Sequence, residues 1–187
     1  PGQVDGAAVM RRVRTERDRF VGFVLEAVAG FDQNHVVRAR AEFEDAHTLR
    51  LAPVDDIGVA NPGIERIVAG RIVIATGSRP RIPDQFEPAG DRLIVNDDVF
   101  DWQDLPESVA VFGAGVIGVE LGQALHRLGV RVRLFGRGGG LAGLSDPEVR
   151  GYAARTISSE MRASLDARDV RISRDGGAVV VDFIDDE

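Results

Sequence analysis

The sequence predicts an α/β fold in which a parallel sheet flanked by helices follows a helix and a β meander. In the second half, a short apolar run at 108–112 is followed at once by a glycine-rich turn and a helical pattern. A second apolar run, 131–135, comes directly after that helix, and strands that alternate with helices in this way form parallel sheets. The first half differs, because one long helical pattern there leads into short strand-like runs.

The first half is predicted to hold one helix and four strands. Apolar residues recur at steps of three and four between residues 5 and 29, which indicates an amphipathic helix. The stripe along this helix consists of Val9, Val13, Arg17, Phe20, Val24 and Val28. Strands are expected, in order, at 35–43, 47–51, 64–68 and 71–75. The last strand ends at Thr76 and Gly77, because turn residues and prolines follow.

The second half is predicted to alternate strands and helices. Its last helix should begin after Asp146, because aspartate is a favourable N-cap and Pro147 suits the first turn. The expected elements are, in order, the strand 108–112, the turn 113–115, the helix 116–128, the strand 131–135, the glycine-rich loop 136–143, a helix to about residue 160, a strand near 161–165 and a hairpin that turns at 175–177 before 178–184. A linker, 100–106, precedes these elements, so we place a domain boundary near residue 105, between 1–104 and 105–187.

Composition excludes several classes of protein. The 187 residues carry a net charge of -7, which disfavours nucleic acid as a partner. No apolar run is long enough to span a bilayer and no secretion signal is present, so we expect a cytoplasmic protein without a membrane partner. The chain has no cysteine and no lysine, which removes thiolate and Schiff-base nucleophiles. The three histidines are scattered, and no metal-ligand cluster is expected.

The glycine motif between the strand and the helix of the second half predicts a dinucleotide site. Gly113, Gly115 and Gly118 have the spacing GxGxxG that is typical of a Rossmann-like domain. The first glycine permits a tight turn, the second lets the backbone approach a pyrophosphate, and the third lets the helix pack on the strand. The N–H groups at the helix start, at Val116 and Ile117, should face that anion.

The expected acid of an NAD site is missing at the end of the second strand. An aspartate or glutamate there would accept a hydrogen bond from the ribose 2′-hydroxyl, but the position is Gly136. Arginines surround it instead, and Arg137 could bind a 2′-phosphate, with Arg131 or Arg133 assisting. We therefore expect a small-molecule dinucleotide, NAD or NADP, with NADP favoured and relaxed choice as the alternative. Glu120, placed on the first turn of the helix, could be a purely structural carboxylate.

Two segments carry a resemblance to a known family. With VFGAGVIGVELGQALHRLGVRV at 111–132 and RIVIATGSRPRIP at 71–83, the sequence resembles the flavin-dependent pyridine nucleotide–disulfide oxidoreductases, and most the dihydrolipoamide dehydrogenase branch. The resemblance implies that 1–104 is the central portion of an FAD-binding domain and that 105–187 is an NAD(P)-binding domain truncated at its C-terminal end. It also implies electron transfer between NAD(P)H, FAD and a dithiol–disulfide pair, with a histidine as base.

The resemblance also assigns roles to individual residues. It implies FAD contacts at Thr76, Gly77 and the stretch around Ala41, and a nicotinamide contact at Glu120. It implies that the redox cysteines precede residue 1 and that the base histidine and a dimerising interface domain follow residue 187. We therefore expect no catalytic residue within this chain, no activity from the chain alone, and a homodimeric parent. The alternatives are a non-catalytic NAD(P)-binding module and a cysteine-free NAD(P)H oxidase or ferredoxin-reductase relative.

Overall fold

A computed structural model describes residues 4–52 and 64–185. Within these residues the chain forms three α-helices and eight β-strands. The helices are α1 (Gly6–Ala29), α2 (Val116–Arg127) and α3 (Pro147–Glu160). The strands are β1 (Arg40–Phe43), β2 (Thr48–Ala52), β3 (Arg66–Val68), β4 (Ser108–Phe112), β5 (Arg131–Phe135), β6 (Arg162–Ser164), β7 (Arg168–Asp175) and β8 (Ala178–Ile184). Short 3-10 helices cover Gln33–His35, Asp84–Arg92 and Asn96–Asp101.

The chain divides into two compact units. The larger unit consists of Pro1–Arg17 and Pro80–Glu187, and the smaller unit of Asp18–Arg79. Every fully buried side chain of the described residues belongs to the larger unit. None of the described helices is long and apolar enough to cross a membrane. The boundary predicted near residue 105 stays a prediction.

The smaller unit contains an antiparallel sheet in the order β1-β2-β3, as the strand-like runs predict. Ala41 lies opposite Leu51 in its first ladder. The strand predicted at 71–75 is wrong, because this segment has no regular secondary structure and Val73 is 87% exposed. A continuous apolar run becomes a strand only where a neighbouring strand pairs with its backbone. No described strand does so here.

Helix α1 confirms the predicted helix but only part of its apolar stripe. Asp5 caps its start, since Ala8 N donates to Asp5 Oδ1 at 2.9 Å. In the first half, Val9 and Val13 of the stripe are half-buried, and Met10, outside the stripe, is buried. Further along, Phe20 and Val24 are exposed, so the stripe prediction is wrong for the second half of the helix. Spacing identifies the apolar face of a helix, but other elements decide whether that face is covered.

The larger unit contains the predicted parallel sheet, in the order β4-β5-β6. Helix α2 connects β4 to β5 and helix α3 connects β5 to β6, which confirms the alternation expected from the sequence. Asp146 caps α3 as predicted, because its Oδ1 accepts hydrogen bonds from Glu148 N at 2.9 Å and Val149 N at 3.0 Å. The hairpin β7–β8 also forms, with Asp175 opposite Ala178 around the predicted glycine turn.

Side chains from both faces of this sheet are packed against other elements. One face and helices α2 and α3 enclose a cluster in which Leu134 is fully buried. The cluster consists of Ala114, Leu125, Val130, Val132, Leu134, Leu141, Ile157 and Met161. A run of phenylalanine rings with centroids 4.7 to 5.1 Å apart links the C-terminal ends of β4 and β5 to flanking segments. These rings are Phe86, Phe112, Phe135 and Phe183. Packing on both sides fixes the strand ends that carry the candidate site.

Candidate dinucleotide site

The turn after β4 has the geometry that the glycine motif predicts. Gly113 has a φ of +121°, which favours glycine, and its N–H donates to Phe135 O at 2.8 Å. A Cβ on Gly118 would lie 1.9 Å from Gly113 O, so the third glycine is needed for helix α2 to approach the turn. A Cβ on Gly115 would meet no atom within 4 Å. The surface above Gly115 is therefore open to a ligand.

The start of α2 offers backbone donors to that open surface. Gly115 is the N-cap, with extended backbone and no side-chain hydrogen bond to the helix among the described residues. The N–H groups of the first turn, at Val116, Ile117 and Gly118, have no carbonyl partner within the helix. The helix dipole adds partial positive charge at the same place. An open surface lined by such donors fits the pyrophosphate of a dinucleotide.

Glu120 lies outside the first helical turn. Helix α2 begins at Val116, which makes Glu120 its fifth residue, and no acid lies in the first turn. The expectation of a helix-start carboxylate is therefore wrong, since the dipole effect fades after the first turn. The Glu120 side chain is exposed on the helix that carries the glycine motif. A contact with the nicotinamide stays a prediction.

Gly136 is glycine for a steric reason. It is buried, and a Cβ there would lie 2.7 Å from Leu165 O and 3.0 Å from Ala114 Cβ. Its N–H donates to Ser164 O at 2.9 Å, which holds the end of β5 against the end of β6. An aspartate or glutamate at this position therefore has no room for its side chain in this backbone. The sequence shows that position 136 lacks an acid, but it does not show that neighbouring segments leave no space for one.

Three of the four neighbouring arginines have partners within the protein. Arg131 forms an ion pair with Glu107 at 2.7 Å, between two exposed side chains. Arg127 forms an ion pair with Glu160. Arg133 donates a hydrogen bond to Ser164 Oγ and forms an ion pair with Asp185. Arg137, which is also exposed, differs because it makes no ion pair with the described residues. A contact of Arg137 with a 2′-phosphate, assisted by Arg131 or Arg133, stays a prediction.

Hydrogen bonds to Glu160 link helix α2 to the end of helix α3 and shift two pKa values. Arg127 Nε donates to Glu160 Oε1 at 2.5 Å, and Gln123 Nε2 donates to Glu160 Oε2 at 2.7 Å. These two hydrogen bonds lower the pKa of Glu160, and the bond from Arg127 has the larger effect. The same hydrogen bond and the Glu160 charge raise the pKa of Arg127. The pairing holds the two helices that flank the site.

The residues expected to contact FAD lie in the smaller unit. Ala41 is an exposed residue of β1. Thr76 and Gly77 lie in the irregular segment after β3; both are exposed, and Gly77 has a φ of +71°. The structure shows no cradle around these three positions, and a flavin contact there stays a prediction. Among residues 4–52 and 64–185, no group of three or more histidines, aspartates or glutamates could hold a metal ion.

Comparison with known proteins places the chain in a family. Residues 18–185 match the family described as pyridine nucleotide-disulphide oxidoreductase. The chain belongs to this family. Its members are FAD-dependent oxidoreductases that use a pyridine nucleotide, which agrees with the glycine turn and with the resemblance stated above. The chain itself contributes no cysteine to the family chemistry.

Three proteins illustrate what the chain is similar to. The soluble pyridine nucleotide transhydrogenase of Colwellia psychrerythraea is 34% identical over 121 residues, 64% of this chain and 25% of that protein. The dihydrolipoyl dehydrogenase of Bacillus subtilis is 35% identical over 71 residues, 38% of this chain and 15% of that protein. The crystal structure of LpdA from Mycobacterium tuberculosis has a TM-score of 0.72 at 22% identity. It matches 97% of this chain and 40% of that chain, and it supports the fold alone.

Proposed function

We propose that this chain binds a nicotinamide dinucleotide as part of a larger FAD-dependent NAD(P)H–disulfide oxidoreductase that resembles dihydrolipoamide dehydrogenase. One observation carries the proposal. Within a single turn, Gly118 leaves no room for a Cβ beside Gly113 O, while the space above Gly115 is open. The turn is therefore built to bring helix α2 close and to admit a ligand at the helix start. In this proposal residues 105–187 are the nucleotide-binding domain and 1–104 the central part of the FAD domain.

Each candidate residue then has a defined task. The N–H groups of the first turn of α2 bind the pyrophosphate, because they are donors with no partner within the helix. Glu120, on the same helix, orients the nicotinamide. Ala41, Thr76 and Gly77 contact the flavin. When bound, FAD supplies two-electron chemistry between the nicotinamide and a thiol or disulfide substrate.

We propose further that Arg137 favours NADP over NAD. Its guanidinium can donate two parallel charge-assisted hydrogen bonds to a 2′-phosphate. The exposed position of Arg137 and the lack of room for an acid at Gly136 both support this choice. The ribose of NADH would find no carboxylate at the end of β5. We therefore expect a preference and not an absolute selection.

Calorimetric titration of the chain with NADPH and NADH tests these proposals. Gly115→Val should abolish binding of both without loss of folding, because the new side chain would fill open space that the pyrophosphate needs. Unchanged affinity in this variant would contradict the dinucleotide site. Arg137→Ala should weaken NADPH binding by about 1.5–3 kcal/mol, the contribution of a hydrogen bond to a charged group, and leave NADH binding nearly unchanged. Equal losses would remove Arg137 as the selector.

A second candidate is hydride transfer from NADPH to NAD+, which gives NADP+ and NADH. The Colwellia relative is a soluble pyridine nucleotide transhydrogenase, and such an activity needs a site that accepts both cofactors. A site without a ribose-binding acid at Gly136 and with the exposed Arg137 beside it suits that need. The full-length protein should be assayed with FAD for NADPH oxidation by a disulfide and by an NAD analogue. Activity with neither acceptor would favour a binding module, an oxidase or a ferredoxin-reductase relative.

Location and assembly remain proposals of the same kind. We propose a cytoplasmic location, which the word "soluble" in the name of the Colwellia relative supports. A homodimeric parent follows from the resemblance to dihydrolipoamide dehydrogenase. Fractionation of cells and light scattering of the full-length protein would test these two statements.

A further inference from the structure

The loop that carries Arg137 is attached to the segment that follows β6. Gly138 N donates to Asp166 Oδ1 at 2.7 Å, and Gly139 N donates to Leu165 O at 3.1 Å. Of these two hydrogen bonds, only the one to Asp166 is accepted by a side chain. Its donor, Gly138, is the residue that follows Arg137. A single substitution at position 166 can therefore remove this hydrogen bond without touching the backbone of the loop.

The conformation of this loop depends on such attachments. Gly138 and Gly139 have φ values of +63° and +66°, and two successive left-handed glycines have many other accessible conformations. Gly136 O accepts from Ala167 N at 3.2 Å, and Ala142 N donates to Ala114 O at 2.7 Å, so both ends of the loop are fixed. Asp166 fixes the middle, directly after Arg137. Holding that turn reduces the entropy that Arg137 loses when it binds a ligand.

We propose that Asp166 is the positioning residue for Arg137, and so sets the preference of the site for NADPH over NADH. The proposal rests on the dinucleotide function proposed above. Asp166 acts through the Gly138 amide and does not touch the cofactor. The sequence pattern gives no signal for it, because it lies almost 30 residues from Arg137 and outside the glycine motif. Only the parallel pairing of β5 with β6 brings the two loops together.

Two substitutions separate the hydrogen bond from the charge. Asp166→Asn keeps an oxygen acceptor for Gly138 N, whereas Asp166→Ala removes it. Titration with NADPH and NADH gives the ratio of the two dissociation constants, which a merely structural role would not change. We expect Asp166→Ala to reduce the preference for NADPH at least fivefold, and Asp166→Asn to leave it within twofold of the native value. Hydrogen exchange of the Gly138 amide should become faster in Asp166→Ala alone.

A double variant tests whether Asp166 acts through Arg137. In the Arg137→Ala background, Asp166→Ala should change the NADPH preference less than twofold. An equally large change in that background would overturn the proposal, as would an equal loss of affinity for both cofactors. A gain in NADPH preference in both Asp166 variants would also overturn it, because the carboxylate would then be repelling the phosphate. If the native chain binds neither cofactor, the proposed function fails first and this inference with it.

Discussion

Three glycines of the turn after β4 lack a side chain for three different physical reasons. Gly113 needs a φ of +121°, Gly118 needs space beside the Gly113 carbonyl, and Gly115 needs neither for folding. Of the three, only Gly115 combines open space around its Cβ position with a backbone conformation and packing that a side chain would not disturb. This division lets substitutions separate folding from binding within one motif.

Replacement of Gly118 should damage the fold itself. We expect Gly118→Ala to lower the free energy of unfolding by about 1–3 kcal/mol, because its Cβ would lie 1.9 Å from Gly113 O. The matched control is Gly122→Ala in the same helix, where the nearest atom would be Met161 Cε at 3.6 Å. That variant should be neutral or gain up to about 1 kcal/mol from helix propensity. Urea denaturation of both variants measures the difference, and equal stabilities would contradict the packing argument.

Gly136 should resist conversion to an NAD-type acid. We expect Gly136→Asp to lower the free energy of unfolding by about 1–3 kcal/mol and to give no tighter NADH binding, because its Cβ would lie 2.7 Å from Leu165 O. Gly140→Asp adds the same charge where a Cβ has room, 3.7 Å from Arg137 O. Calorimetry and urea denaturation of this pair test the prediction. A stable Gly136→Asp variant with improved NADH affinity would contradict the prediction, because the backbone would then have moved to make room for the side chain.

At the scale of elements, the Glu160 link between α2 and α3 should make stability depend on pH. Because hydrogen bonds from Arg127 and Gln123 lower the pKa of Glu160 in the folded state, its contribution is present above the usual value of 4.5. That contribution is lost as the pH falls through the lowered folded value. The free energy of unfolding of the native chain should therefore exceed that of the Glu160→Gln variant at neutral pH. This difference should vanish at acidic pH.

Unfolding curves from pH 7 down to pH 3 measure this difference. Glu87→Gln serves as the control, because Glu87 is an exposed carboxylate of the larger unit with no ion pair among the described residues. Its difference from the native chain should show no comparable change across the same range. A Glu160→Gln difference that is independent of pH would mean that the link contributes through shape and not through charge.

Elements with local sequence signals were predictable, and those that depend on distant partners were not. The glycine turn, the Asp146 cap and the turn before β8 depend on neighbours within a few residues, and the structure confirms them. The segment 71–75 and the second half of α1 have equally clear apolar patterns. Their outcome depends on whether another element pairs with or covers them, which the local pattern does not contain.

The candidate site shows the same limit at the scale of the molecule. The glycine motif could be predicted because one turn and one helix form it. The closed space at Gly136, the pairing of Arg131 and the bond from Gly138 to Asp166 could not, since each needs segments that only the folded sheet brings together. If these long-range contacts set the choice between cofactors, as we propose, no local sequence pattern contains that information.

The distribution of buried residues predicts unequal stability across the molecule. All fully buried side chains of the described residues lie in the larger unit, where Leu134 is on the central strand of the parallel sheet. Amides of β5 should therefore exchange with solvent at least tenfold more slowly than amides of β2, the central strand of the smaller unit. Amides of 71–79, which have no regular secondary structure, should exchange fastest. Hydrogen exchange followed by mass spectrometry measures this order, and equal protection of β2 and β5 would show that the two units unfold together.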